Sequence, residues 1–246
     1  MRIALLADVH ANLEALTACL ADAAARSAER YVFLGDIVGY GADPVACVTR
    51  VREAVALGAI VVRGNHDEAV GASNFKLNMD AGTAIEWTRS RLSAEQRAWL
   101  AGLPLSVSES DCLYVHASAK DAVTFPYVQS LADALASLGA TTAALTFAGH
   151  VHVPALYNVA VTGKVACFIP QSNVAIPLSS RRRWLAILGA VGQPRDGDPS
   201  AAYCMFDTEA REITYVRVAY DVEAAAAKIR AAGLPESLWK RLAAGQ

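Results

Sequence analysis

The sequence predicts an α/β fold in which two packed sheets carry helices on their outer faces. Three observations carry that expectation. Short apolar runs alternate with helix-patterned segments from residue 2 to residue 67, the alternation shifts to period two after residue 153, and a polar cluster follows the end of each early apolar run. At 246 residues, 54% of them apolar, the chain suffices for one large domain. Residues 1–246 are read as that single domain, with the polar motifs inside 1–155 and the second sheet and closing helices in 156–246.

Each element has a local reason. Residues 2–7 form an apolar run ending at Asp8, and Leu13, Leu16 and Leu20 then fall at helical spacing within 12–26. Tyr31-Val32-Phe33-Leu34 is a buried-strand run ending at Gly35-Asp36, after which Pro44 opens a helix bearing Val48, Val51 and Val55 that Gly58 stops. Ala59-Ile60-Val61-Val62 is a third strand, ending at Gly64-Asn65-His66-Asp67. Three βα units in succession imply parallel strands with right-handed crossovers. Residues 75–103 read as helical, with a capping box at Ser93-Ala94-Glu95-Gln96, Gly102 as a stop, and Trp87 and Trp99 in the core. Leu113-Tyr114-Val115 and Ala144-Leu145-Thr146-Phe147 resume the strand pattern, ending at His116 and Gly149-His150. Segments 153–159, 164–170, 184–191, 201–207 and 211–219 are expected to pair as antiparallel strands of a second sheet, with Arg181-Arg182-Arg183 a solvated turn. Helices near 221–232 and 235–244 close the chain.

Composition removes several classes of function. No run of about 18 apolar residues is present, so no membrane span is expected. Asp8 and His10 interrupt the first apolar run before it reaches the length of a signal-peptide core. The five cysteines are scattered, without a C-x-x-C pair, and read as buried reduced thiols of a cytoplasmic protein. A net charge of −2 provides no field for a polyanion, which argues against general nucleic-acid binding. The sequence leaves oligomerisation open.

All five histidines fall inside four short polar clusters: Asp8-Val9-His10, Gly64-Asn65-His66-Asp67, Val115-His116 and Gly149-His150-Val151-His152. A fifth cluster, Gly35-Asp36-Ile37-Val38-Gly39, lacks histidine. Imidazole, carboxylate and amide oxygen at the ends of strands are the donors that a pair of divalent ions needs, and open α/β sheets place ligand sites at those ends. Taken singly, each cluster has an ordinary structural reading as a cap, a turn or a packed histidine; their joint occurrence does not. Hydrolysis of a phosphate ester near neutral pH needs a hydroxide, neutralisation of the phosphate oxygens and a proton for the leaving alkoxide, and two metals about 3.5–4 Å apart supply the first two. Asp36 is the candidate bridge, Asp8, His10 and His152 the candidates for one ion, and Asn65, His116 and His150 for the other. This donor set suits Mn²⁺ foremost, with Fe²⁺, Zn²⁺ or Ni²⁺ as alternatives, above Mg²⁺ or Ca²⁺. His66 is left as the general acid, with Asp67 holding its orientation.

In this order, D-x-H, G-D-x-x-G, G-N-H-D, a lone histidine and G-H-x-H resemble the calcineurin-like metallophosphoesterases over residues 1–155. The resemblance implies a four-layer α/β/β/α sandwich of two mixed sheets flanked by helices, and a dinuclear site between the sheet edges. It assigns Asp8, His10, Asp36 and His152 to one metal, Asp36, Asn65, His116 and His150 to the other, and His66 to the leaving group. The stretches Gly39-Tyr40-Gly41-Ala42-Asp43-Pro44 and 192–199 are similar to those of the small bacterial and archaeal phosphodiesterase branch. That branch usually carries Asn-Pro-Gly-Ser where this chain reads Ile187-Leu188-Gly189-Ala190, which puts any hydrogen-bonding role of the segment in doubt.

Three substrate contacts are candidates. Arg63 is a phosphate ligand or an exposed charge, Arg195 stabilises its Gly/Pro/Asp turn or contacts phosphate or another subunit, and Tyr40 packs in its Gly-rich turn or stacks on a base or ring. The leading function is hydrolysis of phosphodiester, or phosphomonoester, bonds of a small molecule or nucleotide. A protein serine/threonine phosphatase or dinucleoside-polyphosphate hydrolase is the second enzymatic reading, and a metal-binding regulatory protein without catalysis is the reading of another class. His66 argues against the last, because a non-catalytic scaffold has no need of an acid.

Overall fold

The structure, a computed structural model, describes residues 1–71 and 77–246. Strands β1 (Arg2–Leu6), β2 (Arg30–Phe33) and β3 (Ile60–Val61) alternate with helices α1 (Leu13–Ala25) and α2 (Pro44–Ala56). Helices α3 (Asn65–Gly71), α4 (Met79–Arg91) and α5 (Ala94–Ala101) follow, then β4 (Ser106–Glu109), β5 (Cys112–Val115), α6 (Leu131–Gly139) and β6 (Leu145–Ala148). The rest comprises β7 (Ala155–Ala160), β8 (Val165–Phe168), β9 (Ala175–Pro177), β10 (Arg182–Ile187), β11 (Ala201–Asp207), β12 (Glu212–Val218), α7 (Val222–Ala231) and α8 (Glu236–Ala244). The helical stretch expected over 75–103 resolves into α4 and α5, with Ser93 and Gln96 forming the expected capping box; residues 75 and 76 of that stretch lie outside the described residues.

Both sheets are mixed and six-stranded, in the orders β3-β2-β1-β11-β12-β9 and β4-β5-β6-β10-β7-β8. The first three strands are parallel, as their βα repeats require. The sheet assignment of the later strands differs from the sequence reading. β11 pairs antiparallel with β1 (Leu5 opposite Cys204) and brings β12 and β9 into the first sheet, whereas β5 and β6 belong to the second. Period-two patterning reveals that a strand is half or fully buried; it carries no information about which open edge the strand joins.

Alternation along β1 explains the layers. Ile3 and Leu5 point between the sheets with Leu34, Phe147, Trp184, Phe206 and Tyr215, while Ala4 and Leu6 face Leu16, Cys19 and Val48 of the helices. On the far side, Leu185 and Ile187 of the second sheet meet Ala134 and Leu138 of α6. The result is helices, sheet, sheet, helix.

Some elements escaped the sequence reading. α6 carries a capping box of Ser130 and Asp133 that went unread, β4 is Ser-Val-Ser-Glu, and β9 has three residues. Two of the three arginines expected in a solvated turn lie in β10 instead. Arg183 donates to the carbonyls of Leu138 and Thr141 at the end of α6, and Arg182 donates to Asn158 Oδ1. The segment Ile187–Ala190 is fully buried and tied by its backbone to Ala148 and Ala202, so its apolar residues belong to the core. Trp87 and Trp99, expected in the core, are half-buried at its margin, each beneath an arginine.

Candidate metal centre

The polar loops at the carboxyl ends of the strands are fastened to one another by backbone before any side chain is considered. Asp8, His10 and Ala11 donate their amides to Gly35, Asp36 and Ile37, and Gly149 donates to His116. Asp67 holds two of these loops together: one carboxylate oxygen accepts from Ile37 and Val38, the other from Gly64. The expectation that Asp67 orients the His66 ring is therefore corrected, since its acceptors are turned to backbone amides and the His66 Nδ1 has no partner.

Glycine gives the loops room. A Cβ at Gly64 would overlap the Asp36 carboxylate, and one at Gly149 would overlap that of Asp8. Of twelve described non-glycine residues with positive φ, five are proposed ligands: Asp8 (55°), His10 (49°), Asp36 (52°), His150 (66°) and His152 (64°). Strain of this kind persists where the surrounding structure fixes it and clusters at functional sites.

Three overlapping sets of buried donors result: Asp8, His10 and His152; His10, Asp36 and His66; Asp36, His116 and His150, each with its ligand atoms within 4.8 Å of one another. Asp36 stands between, with Oδ2 3.7 Å from His10 Nε2 and 3.4 Å from His116 Nε2. Asn65 Oδ1 lies 3.1 Å from His116 Nε2, and Asp8 Oδ1 3.3 Å from His152 Nε2. The seven residues expected to hold metal thus converge.

The proton positions test whether cations fit. A carbonyl only accepts, so His10, His116 and His152 must each donate Nδ1–H, to Val38 at 3.3 Å, Leu34 at 2.6 Å and Gln193 at 2.7 Å. In the neutral tautomer each Nε2 then carries a lone pair. The Nε2 atoms of His10 and His152 face each other at 3.1 Å, and His116 Nε2 faces His150 Nδ1 at the same distance. For His10 and His152 these are facing lone pairs, which in a buried site repel unless a cation or a proton stands between them, so this donor set fits bound metal; His116 and His150 bring two further ring nitrogens together beside Asp36. The amide and carboxylates complete a mixed N/O set.

Electrostatics in the protein alone agree. Burial pushes His150 down to about 3, helped by His116, and holds His10 well below the ordinary histidine range, helped by His152. Burial also lowers His116, but the adjoining Asp36 outweighs it and carries the imidazole up to about 9. Burial and the charge of Asp36 push Asp67 up to about 7.

An open cleft of about 230 Å³ exposes this cluster to solvent, lined by Asp36, Asn65, His66, His150 and His152. Tyr40 and Arg195, two of the expected substrate contacts, line it too, the guanidinium 5.6 Å from the Tyr40 ring centre. Arg63 does not. Its guanidinium turns to the Ala101 carbonyl and, at 2.9 Å, to Glu68, which corrects its reading as a phosphate contact. Two residues were missed. Tyr127 stacks on His150 with ring centres 4.1 Å apart, from a stretch with no periodic signal. Gln193, whose carbonyl fixes the His152 tautomer and whose Oε1 accepts from Arg195 at 2.9 Å, lies in the motif already quoted.

Two mixed sheets clasping a buried cluster of aspartate, asparagine and histidine define the metallophosphoesterase class. The chain belongs to the calcineurin-like phosphoesterase superfamily, whose domain model matches residues 1–211. An uncharacterised protein of Methanocaldococcus jannaschii is 36% identical over 256 residues, covering 99% of this chain and 98% of that one. The crystal structure of a metallophosphoesterase from Sphaerobacter thermophilus superposes with a TM-score of 0.88 at 39% identity, over 100% of this chain and 99% of that one. A hypothetical protein of Pyrococcus horikoshii shares the fold at a TM-score of 0.81 and 19% identity, over 100% and 98% of the respective chains. Members of this superfamily are generally hydrolases that bind divalent metals. Among the described residues, no helix is long and apolar enough to cross a membrane.

Proposed function

We propose that this protein hydrolyses phosphodiester bonds of small molecules, and phosphomonoesters secondarily, with two divalent ions held by the seven converging residues. Mn²⁺ is the preferred ion. The observation that carries the reading is the position of Asp36 between two histidine-bearing donor sets, each with imidazole nitrogens aimed at one another. Bound ions would neutralise the phosphoryl oxygens and acidify a water at neutral pH. The chain's own residues supply the rest. Asp8, His10 and His152 form one pocket, Asn65, His116 and His150 the other, and Arg195 adds a positive charge at the rim of the cleft.

His66 is assigned the leaving-group proton. It faces the cleft beside Asp36, with Asp67 positioning its loop rather than its ring. Burial pushes its imidazole down to about 4, so in the protein alone the ring is neutral at pH 7. An anionic phosphoester alongside favours the imidazolium, so the proton is taken up with the substrate. All five cysteines are free thiols, four of them buried, which suits a reducing compartment such as the cytoplasm.

The test is to load the protein with Mn²⁺, measure metal per chain, and assay bis(p-nitrophenyl) phosphate and p-nitrophenyl phosphate. Two ions per chain and faster turnover of the diester are expected. Stoichiometric metal with no turnover of either ester would sink the catalytic reading and favour a metal-binding regulator.

A further inference from the structure

The metal ligands make up one wall of the cleft; the remaining walls have a different character. Leu77, Ala81, Phe125 and Tyr127 are apolar or aromatic. The two polar residues among them are engaged locally, Asn78 Oδ1 accepting from the Ala81 amide and the Thr124 hydroxyl donating to Asp121. Among the described lining residues, Arg195 is the one permanent cation and Asp36 the one carboxylate.

Tyr127 stands out from the other rings. Tyr40 is 8% exposed and Phe125 5% exposed, so both are wall, but Tyr127 is 49% exposed. Its ring lies nearly flat on the His150 imidazole, with an interplanar angle of 24°. One face is therefore taken by a proposed metal ligand, while half the residue stays open at the mouth of the cleft. A stacked ring held in this way is a platform: its orientation is fixed before a ligand arrives, so little side-chain freedom is lost on binding.

We infer that the substrate is a phosphoester of a planar ring, an aryl or nucleoside alcohol, whose ring lies on Tyr127 while its phosphate faces Arg195 and the metal cluster. This rests on the phosphoesterase reading above and names its substrate class.

Binding of phosphonates to the Mn²⁺-loaded protein tests this without requiring turnover. Titration calorimetry compares phenyl-, cyclohexyl- and methylphosphonate, which share one anionic head. Phenylphosphonate is expected to bind about tenfold tighter than either of the others, as base–aromatic stacking of ordinary strength requires. In Tyr127→Ala that preference falls to about unity with the affinity for methylphosphonate retained, and Tyr127→Phe restores it. Equal affinities for phenyl and cyclohexyl in the wild type, or a preference that survives Tyr127→Ala, overturns the ring platform and leaves phosphoester hydrolysis standing. If none of the three binds metal-loaded protein and no ester is turned over, the function itself fails.

Discussion

His116 and Asp36 set the charge of the centre at the level of single residues. With the imidazole carried up to about 9, His116 is protonated at pH 7 in the protein alone, and an ion can enter only by displacing that proton. The affinity for Mn²⁺ should therefore rise about tenfold per pH unit until pH approaches 9, with one proton released per chain at pH 7. Calorimetry in buffers of different ionisation enthalpy reads that proton directly, and a pH-independent affinity would mean that His116 is not a ligand. The two histidine roles separate by mutation. His66→Ala should keep its metal and lose about 10²–10⁴ in kcat, whereas His150→Ala should lose metal as well. Metal content by elemental analysis decides, and if both variants lose only metal the acid assignment is wrong. Every proposed ligand was legible in the sequence because each sits in a short motif at a strand end. Tyr127 and the turned-away Arg63 were not, since a side chain's direction out of an irregular loop depends on contacts made elsewhere in the chain.

Helices and loops add a second set of constraints, in which Asp67 and the glycines matter more than propensity. Asp67→Ala leaves three buried backbone donors without an acceptor, each costing about 1–3 kcal/mol. Even at the low end, about 3 kcal/mol in all, Tm should fall by at least about 6–12 °C, at roughly 2–4 °C per kcal/mol for a chain of this size, and calorimetric unfolding checks it. Gly64→Ala should act differently. Its Cβ meets the carboxylate and backbone of Asp36, so the proposed bridge is displaced and metal is lost along with some stability. Circular dichroism with metal analysis distinguishes the two variants. The helices α1, α2, α7 and α8 were readable from caps, Pro44 and apolar spacing. α3 was not, because Gly-Asn-His-Asp looks like a turn, and the helix it opens packs on α4 and α5, contacts that no local pattern shows.

Across the whole molecule the centre joins the two sheets. Asp8, His10, Asp36 and Asn65 follow strands of the first, and His116, His150 and His152 follow strands of the second. Removing the ions therefore leaves the two sheet edges presenting unsatisfied imidazoles to one another. For one ion at a thousand times its dissociation constant the stabilisation is about 4 kcal/mol, so chelation should lower Tm by roughly 8–16 °C for each proposed ion, and added Mn²⁺ restore it. An unchanged Tm would place the ions outside the folded core. At this scale the sequence was least informative: the four layers followed from patterning and resemblance, but the pairing of β1 with β11 joins residues some two hundred positions apart, which no local pattern encodes.

That long-range pairing has a bearing on how the protein matures. Every proposed ligand has been synthesised by residue 152, yet the Gln193 carbonyl that fixes His152 and the strand β11 that flanks β1 are made afterwards. A nascent chain that has emerged only this far carries all the donors without the framework that aims them. The donor geometry is thus complete only once Gln193 and β11 are in place behind His152 and β1.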